Sequence, residues 1–179
     1  MDDKEIIKLI AQGDTSAFSL LLNRFKRPVF SLLAGIVHNR EEAEELTQDV
    51  FMKVYKNAAK FRSDCSISTW IYRITYNTAI SATRKSKYDF SDLDEKIINN
   101  IPDDVVDDLL DRSEDEELMI KLESAVKQLD ADANALISLY YNQDKSIKEI
   151  ADIMQLSAEN VKVRLFRIRK RLVYLTNQM

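Results

Sequence analysis

Glycine and proline are scarce in this chain, with two of each in 179 residues. Hairpins and tight turns draw heavily on both, so their scarcity argues against a turn-rich β fold and points to an all-α protein. Cysteine and histidine are limited to Cys65 and His38. One cysteine excludes an internal disulfide and a zinc finger, and one histidine argues against a His-based metal site or a catalytic triad. No metal ligands, catalytic residues or cofactor are therefore expected, and the chain does not read as an enzyme. No apolar run approaches the ~20 residues that cross a bilayer. The acidic N-terminus carries no secretory signal. The expected location is cytoplasmic, with no direct membrane insertion.

The charge is unevenly placed. From Asp89 to Glu117 thirteen acids face only Lys96 and Arg112, a net of −11, which leaves +7 on the remainder of a chain whose total is −4. A basic body with an acidic middle points to nucleic acid as a partner.

The C-terminal stretch Ser146–Leu172 reads as two short helices joined by a tight turn. Ser146 with Glu149 forms a capping box. Ile147, Ile150, Ala151 and Met154 follow on one face, Gln155-Leu156 makes the turn, and Ser157 caps the next helix. There Val161, Leu165, Ile168 and Leu172 mark the inward side. Lys162, Val163, Phe166, Arg167 and Lys170 point the other way, with Arg164, Arg169 and Arg171 on the flanks. No acid lies between Asn160 and Leu172. Such a helix in a helix-turn-helix neutralises phosphates and reaches base edges in a major groove. A merely solvated basic face is the alternative.

Upstream, to about Lys87, several helices are expected. Asp3–Ala11 is short and amphipathic. Asp14 caps a second helix bearing Ala17, Phe18, Leu21, Leu22 and Phe25. Pro28 should open or kink the segment Val29–His38. Asn39 caps a helix from Arg40 to about Lys60, with Ala43, Leu46, Val50, Val54 and Ala58 inward. After a polar loop, Phe61–Ser66, Ser68 or Thr69 begins a helix reaching about Lys85. That loop and helix interleave Trp70, Tyr72, Arg73, Tyr76 and Asn77, followed by Arg84, Lys85 and Lys87. Aromatics stack on unpaired bases and basic groups hold the backbone, although Trp70 and the tyrosines suit a core equally well. The segment 88–112 is an acidic linker expected to bury little and to be mobile. Ser113 with Glu116 opens a C-terminal domain, 113–179, with helices Glu114–Leu129 and Ala131–Asn142 before the helix-turn-helix. Two small helical domains joined by an acidic linker are thus expected.

Glu41–Phe61 (EEAEELTQDVFMKVYKNAAKF), Ser68–Ser81 (STWIYRITYNTAIS) and the helix-turn-helix together resemble a bacterial RNA polymerase sigma factor of the extracytoplasmic-function type. The resemblance covers nearly the whole chain. It implies that the N-terminal domain, 1–87, binds core polymerase and the −10 element. Leu46, Gln48, Asp49, Phe51 and Lys53 would grip the β′ clamp coiled coil. Phe61, Arg62, Ser63 and Asp64 would capture a flipped −10 base, and Trp70, Arg73, Asn77, Arg84 and Lys85 would touch the −10 element and its upstream edge. Asn160, Lys162, Val163, Arg164, Phe166, Arg167 and Lys170 would read the −35 element. Implied partners are core RNA polymerase, through the β′ clamp and β flap, promoter DNA in duplex and melted form, and an anti-sigma factor. Departures from the common pattern (Ser81 for an acid, Gln155-Leu156 for a glycine turn, Glu159-Asn160 for Gly-Thr) bear on which promoter is read.

Three rivals remain at this point, the weakest an enzyme whose linker carboxylates bind a metal without any His or Cys ligand beside them. A dimeric repressor or activator explains the helix-turn-helix but not Leu46–Phe51, and a protein-only adapter does not explain the basic helix. Three uses of the acidic linker also stand open. It could imitate nucleic acid inside the polymerase's RNA path, fold back on Lys162–Arg171, or act as a solvated spacer.

Overall fold

The computed structural model describes residues 2–83, 90–112 and 114–179, and among these it contains ten α-helices and no strand. Helices α1 (Asp3–Ala11), α2 (Thr15–Val37), α3 (Arg40–Asn57) and α4 (Ile67–Ala82) form one bundle. Ile6, Ile7 and Ile10 seat α1 on it. Gly13, at φ +90°, makes the turn into α2, where Asp14 accepts from the amides of Ser16 and Ala17 at 2.8 and 3.0 Å. The caps at Asp14 and Asn39 are those the sequence predicts, as are the buried positions Ala43, Leu46, Val50, Val54 and Ala58.

Pro28 does not begin a new segment. Helix α2 runs through it for 23 residues to Val37. An interior proline forfeits one backbone bond and costs about 3 kcal/mol. Val29, Leu32, Leu33, Ile36 and Val37, all buried just beyond it, give the continuous helix its compensation. Helix α4 starts slightly earlier than the sequence suggests. Ser66, not Ser68 or Thr69, is the cap, accepting from the Thr69 amide at 3.1 Å.

The acidic segment departs most from expectation. Rather than a mobile coil, it holds α5 (Asp92–Asn99) and α6 (Asp103–Asp111), both packed against the last helix. Ser91 and Asp94 form a reciprocal capping box, which satisfies two orphan amides. Ile98 and Val106 are buried. Helix α7 (Glu116–Gln128) follows, capped by Asp115, whose carboxylate accepts from Leu118 at 3.2 Å. Ser113, the expected cap, lies outside the described residues.

Helix α8 (Ala131–Ile137) is shorter than expected. It passes into a wide turn, Ser138–Asn142, in which the Gln143 amide reaches back to the Ser138 carbonyl. Helices α9 (Ile147–Met154) and α10 (Ala158–Asn177) are the helix-turn-helix. The Ser146–Glu149 capping box and the Ser157 cap are present as predicted. Gln155 takes the left-handed conformation, φ 56°, where glycine would be unstrained.

The N-terminal bundle and the C-terminal helices pack on one another, α2 against α8 and α4 against α8 and α9. At Gly35 the two approach closely: a Cβ there would lie 2.9 Å from Ser138 Oγ.

Candidate nucleic-acid interface

Helix α10 presents two sides with opposite chemistry. Val161, Leu165, Ile168 and Leu172 are buried, as their spacing requires. Asn160, Lys162, Val163, Phe166 and Arg167 are exposed, and Arg164 is half-buried. Val163 and Phe166 keep 48% and 44% of their surface in water, which is costly for an aliphatic and an aromatic side chain. Asn160 Oδ1 accepts from Arg164 Nε at 3.0 Å, and Lys162 pairs with Glu159 at 3.2 Å. These are short intrahelical contacts at the surface, weak enough to exchange for phosphates.

Lys170 differs from the other candidates on this helix. It is only 8% exposed, lies 3.6 Å from Asp103 of α6, and sits 4.4 Å over the Phe166 ring. A helical wheel predicts an outward lysine here because it contains nothing of the linker helices that enclose it.

The second candidate surface is α4 with the loop before it. Arg62, Ser63 and Asp64 are exposed, and Ser63 adopts a positive φ of 58°. Phe61 and Trp70 are both half-buried, with ring centroids 5.1 Å apart. This pair anchors the loop to α4 while leaving an aromatic edge uncovered. Cys65, also half-buried, has its thiol pushed up by desolvation, only partly opposed by the Arg73 charge. Its sulfur is thus less reactive than a free thiol. Asn77 is exposed. Arg84 and Lys85 lie outside the described residues.

The inner turns of α4 bind the C-terminal helices instead of solvent. Tyr72 Oη donates to Gln143 Oε1 at 2.9 Å. Arg73 donates through Nε and Nη2 to the Asp152 carbonyl at 3.2 and 3.0 Å, and so holds the C-terminal half of α9. Tyr76 donates to Asp132. Burial raises the Tyr72 phenol, with the nearby Glu149 charge adding to it. Burial also raises Tyr76, which the hydrogen bond to Asp132 lifts further. Both phenols are therefore held as neutral donors. The aromatic residues in this segment are visible in the sequence, but the partners of Tyr72 and Tyr76, 71 and 56 residues away, are not.

On α3, Gln48, Asp49 and Lys53 are exposed, and Lys53 Nζ donates to Thr78 Oγ1 at 3.0 Å. Leu46 and Phe51, predicted with them as a contact surface, are buried at 8% and 4% exposure. They lie on the face of α3 that the bundle covers.

Among the described residues no group of histidine, cysteine and carboxylate side chains is placed to hold a metal ion, and no helix is long and apolar enough to cross a membrane.

Comparison with known proteins places both halves of the chain in known families. Residues 21–88 match the family described as Sigma-70 region 2, and residues 119–172 match Sigma-70, region 4. The chain is 28% identical to the RNA polymerase sigma-H factor of Pseudomonas aeruginosa, over 94% of this chain and 90% of that protein. It is 30% identical to the ECF RNA polymerase sigma factor SigW of Bacillus subtilis, over 94% of each. The fold is similar to that of the sigma factor RpoE of Bartonella quintana, solved in complex with the anti-sigma factor NepR. That likeness has a TM-score of 0.60 at 19% identity and covers 89% of this chain and 96% of that one.

Proposed function

This chain belongs to the extracytoplasmic-function sigma factors of bacterial RNA polymerase, and from that premise we propose that it binds core polymerase and directs initiation at specific promoters. The observation that carries the proposal is the outer face of α10. It is a capped second helix of a helix-turn-helix, with Lys162, Val163, Phe166 and Arg167 turned to solvent.

In this reading α10 enters the major groove of the −35 element. Asn160, Lys162, Arg164 and Arg167 supply phosphate and base-edge contacts, and a good bidentate base contact is worth about 1–3 kcal/mol of discrimination. Val163 and Phe166 meet thymine methyls or sugars. Lys170 joins them once Asp103 moves away. The loop Phe61–Asp64 and the edge of Trp70 take unpaired −10 bases, with Arg73, Asn77, Arg84 and Lys85 along the strand. Stacking of about 1–3 kcal/mol per base offsets the few kcal/mol needed to unstack it. Gln48, Asp49 and Lys53 on α3 face the β′ clamp, Leu46 and Phe51 hold that face in position, and the C-terminal domain meets the β flap.

The chain itself makes and breaks no bonds, because core polymerase supplies the chemistry, and the place of action is the cytoplasm, where polymerase and promoter meet. An anti-sigma factor that covers the polymerase-binding surfaces is the proposed regulator. The Bartonella sigma factor was solved in complex with an anti-sigma factor.

Run-off transcription with purified core polymerase and a promoter library tests the proposal. Transcripts that require this chain are expected. Core binding without transcripts from any promoter would favour the protein-only adapter, and failure to bind core would refute the assignment of α3.

A further inference from the structure

Between α2, α3 and the wide turn after α8 lies a cleft of about 1060 Å³. Its walls differ in chemistry. On α2, Lys26 and Arg27 are exposed, and among the described residues neither pairs with an acid. One helical turn beyond Lys26, about 6 Å along the axis, Phe30 is half-buried, packed on the core with its remaining surface in the cleft. On α3, Gln48 is exposed, and Arg40 pairs with Glu44 at 3.1 Å. Those two side chains remain 84% and 53% exposed, and so open a pair exchanges readily for other partners. The wide turn supplies an oriented amide. Tyr72, held as a neutral phenol by burial, donates to Gln143 Oε1 at 2.9 Å. That bond uses the oxygen and leaves the Gln143 amide nitrogen to donate.

The cleft asks for a ligand with two kinds of surface. Three cations, Lys26, Arg27 and Arg40, face a single carboxylate, Glu44, so the ligand is an anion. Pro28, Phe30 and Ala34 form an apolar wall, and an aromatic face there stacks on any flat base. A free phosphate would leave that wall bare, and a fatty acid would meet the cations with one carboxylate only. A ring joined to a string of phosphates uses both surfaces. The volume is at the upper end of the range for small-molecule sites.

We propose that this cleft binds a nucleoside di- or triphosphate, with its base on Phe30 and its phosphates on Lys26 and Arg27, and that the bound nucleotide and the β′ clamp exclude one another at Gln48. The site stands on its own geometry. The exclusion rests on the function proposed above, in which Gln48 faces the clamp.

Equilibrium dialysis of the full-length chain against ATP and GTP tests the site. One variant combines Lys26→Ala and Arg27→Ala. A control combines Lys4→Ala and Lys8→Ala, two exposed lysines of α1, and makes the same change in net charge. A third chain, Phe30→Leu, keeps an apolar side chain and removes the stacking face. Urea midpoints without ligand establish that each chain is folded. The parent and the control are expected to bind at least one of the nucleotides alike. The double variant should bind it about tenfold more weakly, and Phe30→Leu about fivefold more weakly. Inorganic triphosphate should bind the parent less tightly than the nucleotide does and should not distinguish Phe30→Leu from the parent. Absence of binding by either nucleotide, equal losses in the double variant and the control, or equal affinity for triphosphate and nucleotide would each overturn the proposal. So would tighter binding of a short oligothymidylate than of either nucleotide, which would make the cleft a path for a strand.

A pull-down on core polymerase tests the exclusion. Nucleotide at about ten times the parent's Kd should release the parent from core and leave the double variant bound. A parent that stays bound would overturn the exclusion. A parent that fails to bind core even without nucleotide would overturn it together with the polymerase-binding reading of α3, and dialysis still decides the site.

Discussion

Replacing Gly35 by alanine sets two known energies against each other. Gly35 sits inside α2, where alanine would stabilise the helix by about 0.8–1.0 kcal/mol. The same methyl would lie 2.9 Å from Ser138 Oγ and 3.3 Å from Ser138 Cβ, across the contact between the two halves of the molecule. Ser138 is 2% exposed and cannot simply swing into solvent. Overpacking a filled contact costs about 1–3 kcal/mol. The helix gain is present whether the halves are packed or apart, whereas the clash exists only when they are packed. The balance between packed and separated forms should therefore move toward separation by about 1–3 kcal/mol, or about 5- to 150-fold. Small-angle scattering would read this as a larger radius of gyration, and urea unfolding as a broadened or split transition. Adding Ser138→Ala removes the nearer atom and should restore most of the packed form. A Gly35→Ala chain that stays as compact as the parent, with a higher urea midpoint, would refute the packed arrangement.

Four further outcomes are expected. Gln155→Gly relieves the left-handed strain in the helix-turn-helix turn and should raise stability by about 0.5–1 kcal/mol in urea titration. Ser146→Ala removes the α9 cap and should cost about 1 kcal/mol by the same measure. The Tyr76 phenol is raised above its ordinary 10.0 by burial and by Asp132, so its contribution is complete below that value and is lost as pH rises through and above it. The urea midpoint should fall above about pH 10, and Tyr76→Phe should flatten that slope. Arg167→Ala should lower promoter-dependent transcripts by about 5- to 150-fold, the equivalent of about 1–3 kcal/mol, with core binding unchanged in a pull-down.

Much of this molecule follows from short-range chemistry. Asp14, Asn39, Ser146 and Ser157 each cap the helix their spacing predicts, because a cap is a contact across three residues and needs nothing from the rest of the fold. The inward stripe of α10 likewise repeats with the helix period. Pro28 does not open a new segment because its local penalty is outweighed by five buried neighbours whose burial depends on other helices. Leu46 and Phe51 mislead because motif and surface are different properties: a residue can mark a functional helix and still face inward. Composition misleads about the linker, since thirteen acids suggest a solvated coil, although the Ser91–Asp94 capping box is present in the sequence.

The all-helical class, the helix-turn-helix with its basic outer face and the acidic middle were determined by the sequence alone, through composition, helix period and caps. The family was legible there too, in strings of residues along the chain. Only the tertiary structure decided that Lys170 is covered, that Arg73 and Tyr76 bond to α9 and α8, and that the linker's acids rest on α10. The physical reason is range. Caps and amphipathic stripes are settled within a turn or two of helix, while each of those contacts joins residues more than fifty positions apart, and no periodicity in the chain encodes which distant surface will arrive.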